Sequence, residues 1–202
     1  MSKKILVVLL VLAAGVPLQA ANLLSNSGFE TGDLTSWWTY LADSANQSIS
    51  VVTSPVYEGS YAVQIYTGNG SSAQLGQDVS ALAGTPITVS AAYYVPSGSW
   101  NGAGLTIQYK DASWNYLDYG YVGIYNYGST GGGDDAWHVF SASTGEGTWT
   151  APANTAHISF KVEQWGWVAG SGAVYDNLSV PEPATMIMLS LGGLALIRRK
   201  KA

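Results

Sequence analysis

The chain has 202 residues, of which 47% are hydrophobic, and this length allows one medium-sized domain with targeting segments at its ends. It contains no cysteine, so disulfide bonds are excluded and the folded part must be stabilised by its core or by a bound metal. Between Ala21 and Val180 two lysines stand against twelve acids, a formal charge of −10, which repels phosphate backbones and leads us to expect no nucleic-acid partner.

The first twenty residues have the pattern of a secretory signal peptide. Lys3 and Lys4 precede an apolar run at 5–14, and Pro17 interrupts the helix that such a run forms. The small residue Ala20 predicts cleavage directly after it, although Leu18 is less typical at the third position before the cut. We therefore expect residues 1–20 to form a signal helix that the secretion machinery uses; a retained membrane anchor is the alternative.

Residues 21–180 are built from short runs of strand-forming residues. Turn residues such as those at 68–70 and 131–135 separate these runs, and no stretch has helical periodicity. The pattern predicts an all-β domain, a β-sandwich or jelly roll of about 8–10 antiparallel strands. The predicted strands are 48–53, 60–66, 73–79, 85–95, 105–110, 119–125, 137–142, 157–163 and 173–180.

The opening of this body, from Asn22 to Glu30, reads Asn-Leu-Leu-Ser-Asn-Ser-Gly-Phe-Glu, and two tryptophans come shortly after it. This opening resembles the first strand of carbohydrate-binding-module-like jelly rolls in the galactose-binding-like superfamily. Four further runs resemble later strands of that family in the right order, although Glu58 stands where Ser or His is usual; these runs are 58–65, 74–79, 82–90 and 174–180. The resemblance covers roughly residues 22–180 and implies the same sandwich.

The resemblance also implies a structural calcium ion beside the first and last strands. Its side-chain ligands would be Glu30 and Asp176, with backbone carbonyls near Glu58 and Ser60. Calcium takes six to eight oxygen ligands, and one ion bound by distant segments would stabilise a domain that lacks disulfides. The alternative is that Glu30 and Asp176 only cap turns.

All eight tryptophans and thirteen tyrosines lie in the body. Rings two residues apart share a face of an extended strand, so Tyr119 and Tyr121 would lie on one face while Val122 enters the core. Flat rings beside amides and carboxylates suit sugar binding, although aromatic rings also fill sandwich cores. We expect polysaccharide binding through exposed rings, with these candidates: Trp37, Trp38, Trp114, Tyr116, Trp165 and Trp167. Because Trp37 and Trp38 are adjacent, only one of them can enter the core from an extended strand.

The sequence contains no recognisable catalytic motif. The two histidines, His138 and His157, lack metal-ligand spacing, and no Gly-x-Ser-x-Gly motif is present. A small jelly-roll glycosidase would need two carboxylates, for which the sequence offers Glu30, Glu58, Glu146 and Glu163. None of them stands in a familiar glycosidase strand motif. We expect a non-catalytic binding protein, with a purely structural matrix or envelope protein as the main alternative and a glycosidase as the lesser one.

Residues 181–202 contain three segments in a fixed order. The first is Pro181-Glu182-Pro183, which cannot be helical because both prolines lack a backbone donor and push the preceding residue to extended geometry. The second, 184–197, is uncharged and mostly apolar, and the third is basic: Arg198, Arg199, Lys200 and Lys201. This order resembles the PEP-CTERM tail of exported bacterial proteins. The resemblance implies that an exosortase recognises Pro-Glu-Pro and removes the residues C-terminal to it.

The apolar segment predicts a short C-terminal transmembrane helix. Fourteen helical residues span about 21 Å, less than the roughly 30 Å of a hydrocarbon core. This length suits a temporary hold in the inner membrane, and an ordinary single-pass tail anchor is the alternative. We therefore expect export, transient membrane residence, and a final location in the cell envelope, on the surface or in the extracellular matrix.

Overall fold

The computed structural model describes residues 21–67, 72–97, 99, 101–125, 133–140, 148–166 and 171–182. These residues form twelve strands and no helix, which confirms the predicted all-β class. The strands are β1 (Trp38–Leu41), β2 (Ser48–Val52), β3 (Ala62–Thr67), β4 (Ser72–Ser80), β5 (Pro86–Thr88), β6 (Ser90–Tyr94), β7 (Asn101–Lys110), β8 (Tyr116–Tyr125), β9 (Trp137–Phe140), β10 (Thr148–Thr150), β11 (His157–Gly166) and β12 (Ser171–Ser179).

Ten of the strands form two five-stranded sheets. Sheet A has the order β1-β4-β11-β7-β8, sheet B has the order β2-β3-β12-β6-β9, and β5 pairs separately with β10. All of these strand pairs are antiparallel. Most neighbours in a sheet are distant in sequence, as the jelly-roll prediction requires.

Alternation along the strands places the core between the two sheets. On β11, Ile158, Phe160 and Val162 are fully buried within the core cluster. On sheet B, Val63 and Tyr175 belong to the same cluster. Because successive side chains point to opposite faces of a strand, the polar residues between those of β11 lie on the outer face of sheet A.

The predicted strand 85–95 is two strands in the structure. The strands β5 and β6 are separated at Val89, whose side chain is fully buried. The division results from pairing, because β5 pairs with β10 whereas β6 pairs with β12 and β9. Sequence analysis also missed β1 and β10, which have only four and three residues.

Contacts group Asn22–Pro181 into one compact unit. At its two ends, Asn22 and Pro181 form an antiparallel bridge, and the Leu23 N–H donates to the Val180 carbonyl at 2.8 Å. Residues 1–21 and 182–202 form a second unit, of which only Ala21 and Glu182 are described.

No helix within the described ranges is long and apolar enough to cross a membrane. The predicted transmembrane segment 184–197 lies outside those ranges, as do the signal segment 1–20 with its cleavage site Ala20, Pro183, and the basic residues 198–201. Their assignments therefore stay predictions.

Candidate functional site

The outer face of sheet A carries a row of polar side chains across its three central strands. Cross-strand register on this face pairs Gln74 of β4 with Glu163 of β11, and Lys161 of β11 with Thr106 of β7. The next outward position along β7 is the partly exposed Gln108, which pairs with Ser159. Amide, hydroxyl, ammonium and carboxylate groups are therefore concentrated on one sheet face.

Two opposite charges at the centre of this face are buried and paired. Lys161 Nζ lies 3.3 Å from Glu163 Oε1. The Gln74 amide donates to Glu163 Oε2 at 3.0 Å, and the Thr106 hydroxyl donates to Glu163 Oε1. Because a buried charge is costly unless it is paired and hydrogen-bonded, these contacts hold the polar centre of the face in one geometry.

Trp38 lies on the same face, beside this polar centre. It is the register partner of Gly76, and a methyl group placed on Gly76 would lie 2.2 Å from Trp38 Cζ2. The indole therefore occupies the space above the glycine, next to Lys161, which pairs with Gly76 from the other side. The Trp38 indole N–H is buried and has no hydrogen-bond partner among the described residues.

Trp37 lies in the core, so the prediction that it binds ligand is wrong. Its side chain is buried, its ring centroid is 6.2 Å from that of Phe160, and its indole N–H donates to the Asn26 carbonyl at 3.0 Å. The expectation that only one of the two adjacent tryptophans enters the core is confirmed by the burial of Trp37 and the partial exposure of Trp38.

Exposed aromatic rings lie near the β8 edge of sheet A. Tyr116 and Tyr119 are 56% and 59% exposed, and Trp114 is 48% exposed. Trp114 stacks on His157 of β11 with ring centroids 4.2 Å apart and an interplanar angle of 4°. Trp114 has a φ of 66° in the turn before β8, so it does not share an extended strand with Tyr116.

The turn that positions Trp114 is held by the carboxylate of Asp111. Asp111 Oδ1 accepts the Ser113 N–H at 2.8 Å and the Asn115 N–H at 2.9 Å. Hydrogen bonds from Asn115 hold the pKa of Asp111 below its usual value, so this carboxylate stays charged and keeps the turn closed.

Sequence analysis missed Tyr40 and the polar residues at the centre of the face. Tyr40 on β1 is 52% exposed and pairs with Gln74, opposite the β8 edge where Tyr119 lies. Five strands at the usual separation make this face about 19 Å wide. The sequence offered one signal for this face, the alternation of side chains along 119–122. It predicted Val122 in the core, and the structure confirms this.

Of the other predicted rings, Trp165 lies on β11 but its side chain is not described, and Trp167 is outside the described residues.

The residues predicted to bind calcium are close together beside sheet B. Asp176 Oδ2 accepts the N–H groups of Tyr57 and Glu58 at 3.0 and 3.1 Å. Glu30 accepts the N–H groups of Ser60 and Tyr61 at 3.1 Å. The structure thus joins the first segment, the 57–61 loop and β12, but through backbone N–H groups of Glu58 and Ser60 rather than through the carbonyls that the resemblance implied.

Burial and a neighbouring charge both act on the Asp176 carboxyl. Asp176 is fully buried, and burial raises its pKa, with a smaller contribution in the same direction from the charge of Glu30. Oxygen donors suit calcium, although no three Asp, Glu, His or Cys side chains in the described part of the chain converge on one point. Backbone carbonyls and water would have to complete the coordination, and calcium binding stays a prediction.

A second aromatic cluster, also missed from sequence, lies on the outer face of sheet B. The Trp137 ring packs against those of Tyr57 and Tyr94, with centroids 5.5 and 5.7 Å away. The rings are tilted by 59° and 53° to the indole. Tyr57 is 44% exposed, and its contact with Trp137 packs the 57–61 loop against the sheet.

The remaining feature is the segment after β12. Residues 179–201 match the PEP-CTERM protein-sorting motif. The PEP-CTERM motif indicates an exported protein with a membrane-anchored sorting signal that an exosortase processes. Of the matched residues 179–201, only 179–182 belong to the described part of the chain.

Comparison with solved structures gives the same fold for the body. TmCBM61 in complex with β-1,4-galactotriose is 22% identical over 81% of this chain and 100% of its own, with a TM-score of 0.55. A family 16 carbohydrate-binding module is 18% identical over 80% and 100%, with a TM-score of 0.57. The enzymatically active domain of bacteriophage CBA120 tailspike protein 4 is 11% identical over 79% and 21%, with a TM-score of 0.60. These similarities show a carbohydrate-binding-module-like jelly roll. A search of curated protein sequences found no match.

Proposed function

We propose that this exported protein binds polysaccharide without cleaving it, through the outer face of sheet A. The observation that carries the proposal is the arrangement on that face, where the buried Lys161–Glu163 pair and its amide and hydroxyl neighbours are flanked by exposed rings. Aromatic rings stack on the C–H faces of sugars while polar groups bond the hydroxyls. The strongly acidic body favours a neutral glycan over a polyanion.

The two carboxylates on the outer face of β4 and β11 do not have the spacing of a glycosidase pair. Glu163 is bonded to Lys161, Gln74 and Thr106. The other acid on the outer face of β4 and β11 is Asp78, which pairs with Ser159, four residues along β11 from Glu163. This offset is about 13 Å along the strand, whereas glycosidase carboxylates lie roughly 5–10 Å apart.

We further propose that calcium binds between Glu30 and Asp176 and stabilises the body. The support is the convergence of two carboxylates on one loop and the unfavourable burial of Asp176. An ion there would connect the first segment, the 57–61 loop and the last strand, which is a role that disulfides fill in other exported domains.

The final location proposed is the cell envelope, the surface or the extracellular matrix. The PEP-CTERM motif supports export and exosortase processing, and a glycan-binding body would retain the processed protein among polysaccharides. Its partners in this proposal are the secretion machinery, the exosortase, the membrane before tail removal, and polysaccharide afterwards.

The decisive experiment compares Tyr119→Ala with Tyr57→Ala on a panel of soluble and insoluble polysaccharides. Both tyrosines are about half exposed, but Tyr119 lies on sheet A and Tyr57 on the outer side of sheet B. We expect Tyr119→Ala to weaken binding about tenfold, the value of one stacking contact, and Tyr57→Ala to have no effect. Folded protein that binds no glycan on a broad panel would contradict the proposal and leave the structural matrix role.

A further inference from the structure

The folded body continues into the sorting motif without a free linker. Strand β12 ends at Ser179, the side chain of Val180 is fully buried in the core cluster, and Pro181 forms an antiparallel bridge with Asn22. The first residue of Pro-Glu-Pro is therefore held by the fold.

The side chain of Asn22 makes two of the hydrogen bonds that hold this segment. Asn22 Oδ1 accepts the Val180 N–H at 2.9 Å, and Asn22 Nδ2 donates to the Leu178 carbonyl at 2.8 Å. The Val180 carbonyl accepts the Leu23 N–H at 2.8 Å. Both backbone hydrogen-bonding groups of Val180 are thus occupied within the fold.

The residue after the bridge is paired as well. The Glu182 N–H donates to the carbonyl of Ala21 at 2.7 Å. An enzyme that cuts a peptide chain commonly binds it in an extended form, through the backbone groups on either side of the cut. Here those groups are already bonded within the protein, and the Val180 side chain is inaccessible.

We propose that Asn22 is a positioning residue for tail removal: it closes residues 178–181 onto the folded body, so that the exosortase acts only on chains in which this pairing is open. The proposal rests on exosortase processing at the PEP-CTERM motif and is independent of glycan binding. Newly exported chains are open until the body folds, and folded chains open by local unfolding of the terminal segment. In both cases the rate of tail removal depends on the fraction of open chains.

The test measures tail removal from the full chain by pulse-chase in cells that make an exosortase. The variant Asn22→Ala loses the hydrogen bonds to the Val180 N–H and the Leu178 carbonyl. It also loses the bond that Asn22 Oδ1 accepts from the Leu24 N–H at 3.1 Å, which lies outside the terminal segment. We expect removal to be roughly five- to thirty-fold faster, because losing one or two such bonds raises the open fraction by this factor. The variant Asn22→Asp keeps an acceptor for Val180 but loses the donor to Leu178, so we expect an intermediate rate.

The matched control is Asp43→Ala. The Asp43 side chain accepts two hydrogen bonds, from the Ala45 N–H and the Asn46 side chain, in the turn after β1, as many as Asn22 makes to residues 178–181. A general loss of stability would speed both variants, whereas the proposal requires the control to be processed at the wild-type rate.

The outcomes are distinct. Equal or slower tail removal for Asn22→Ala and Asn22→Asp, with bodies that resist limited proteolysis, overturns the proposal. If Asn22→Ala is itself protease-sensitive, the test uses Asn22→Asp instead. In that variant both tail removal and hydrogen exchange at the Val180 N–H must be faster than in the wild-type chain. Absence of tail removal from the wild-type chain would instead contradict exosortase processing.

Discussion

Trp38 and Gly76 face each other across β1 and β4, and the indole fills the space that a side chain at position 76 would need. Gly76 is therefore required for a packing reason rather than for a special backbone conformation. Through this contact the ring lies beside Lys161 on the proposed glycan-binding face.

The substitution Gly76→Ala tests this contact. A methyl group 2.2 Å from Trp38 Cζ2 must displace the ring, so we expect a loss of about 1–3 kcal/mol in unfolding free energy, together with weaker glycan binding. Urea unfolding followed by tryptophan fluorescence measures the first quantity. In a Trp38→Ala background the stability cost should largely disappear, because the clash is then absent; an undiminished cost would show that the strain lies elsewhere.

The buried pair on β11 gives a second prediction. Replacing one partner, as in Lys161→Met, leaves Glu163 charged and buried, and we expect a loss of about 3–5 kcal/mol in unfolding free energy. The double variant Lys161→Met with Glu163→Gln should cost clearly less than the sum of the two single changes. The exposed pair of His138 and Asp134 is the control, because removing it with Asp134→Asn should change stability only slightly. Additive losses at the buried pair would contradict the coupling.

Calcium should raise the melting temperature of the body. A ligand present at a hundred times its dissociation constant stabilises the native state by about 2.7 kcal/mol, or roughly 5–10 °C for a domain of this size. Differential scanning calorimetry with calcium, magnesium or chelator measures the shift. Glu30→Gln should abolish it, since this change removes one of the two carboxylates. A melt that is identical in calcium and chelator would exclude the site.

The pH dependence of stability should reveal Asp176. Burial raises its folded pKa above the ordinary 3.8, so the folded chain holds this proton more tightly than the unfolded chain does. The resulting stability is present below the unfolded pKa and is lost as pH rises through the folded pKa. In the presence of a chelator, we therefore expect Asp176→Asn to lose less stability than wild type as pH rises from about 3 to 7. Urea unfolding at each pH measures this difference.

The control for this comparison is Asp135→Asn. Hydrogen bonds from Ser97 hold the pKa of Asp135 below its ordinary value, so its contribution has the opposite sign: it is present above the unfolded pKa and is lost as pH falls. Parallel pH profiles for wild type and Asp176→Asn would show that Asp176 does not titrate in this window. Added calcium should stabilise less at acid pH, because protons compete for the same carboxylate.

Much of the fold could be predicted from the sequence, because strand formation leaves a local signal. Alternation and turn residues located the strand at 48–53 almost as β2 has it, and the strand at 157–163 as the first part of β11. The short strand β1 was missed, since it has only four residues, none of them fully buried, and it exists through pairing with β4. The division at Val89 was missed because the choice of partner strand is a tertiary property.

The candidate site was less predictable, because it depends on register between distant strands. No local feature of the sequence indicates that Gln74 meets Glu163, which is 89 residues away. The proximity of Glu30 and Asp176 could be inferred only through a family resemblance. Adjacent tryptophans were a useful signal, since alternation required one buried ring, but it did not say that Trp37 would be that one.

The position of β12 has a mechanical consequence. This strand is hydrogen-bonded to β3 on one edge and to β6 on the other, and the chain leaves the body at its end. Tension applied at the carboxyl end therefore loads two ladders at once, in shear, rather than peeling a single edge. The hydroxyl of Tyr175 on β12 also donates to the carbonyl of Glu163 on β11 at 2.9 Å, which carries part of such a load directly to sheet A, the sheet proposed to bind glycan on its outer face.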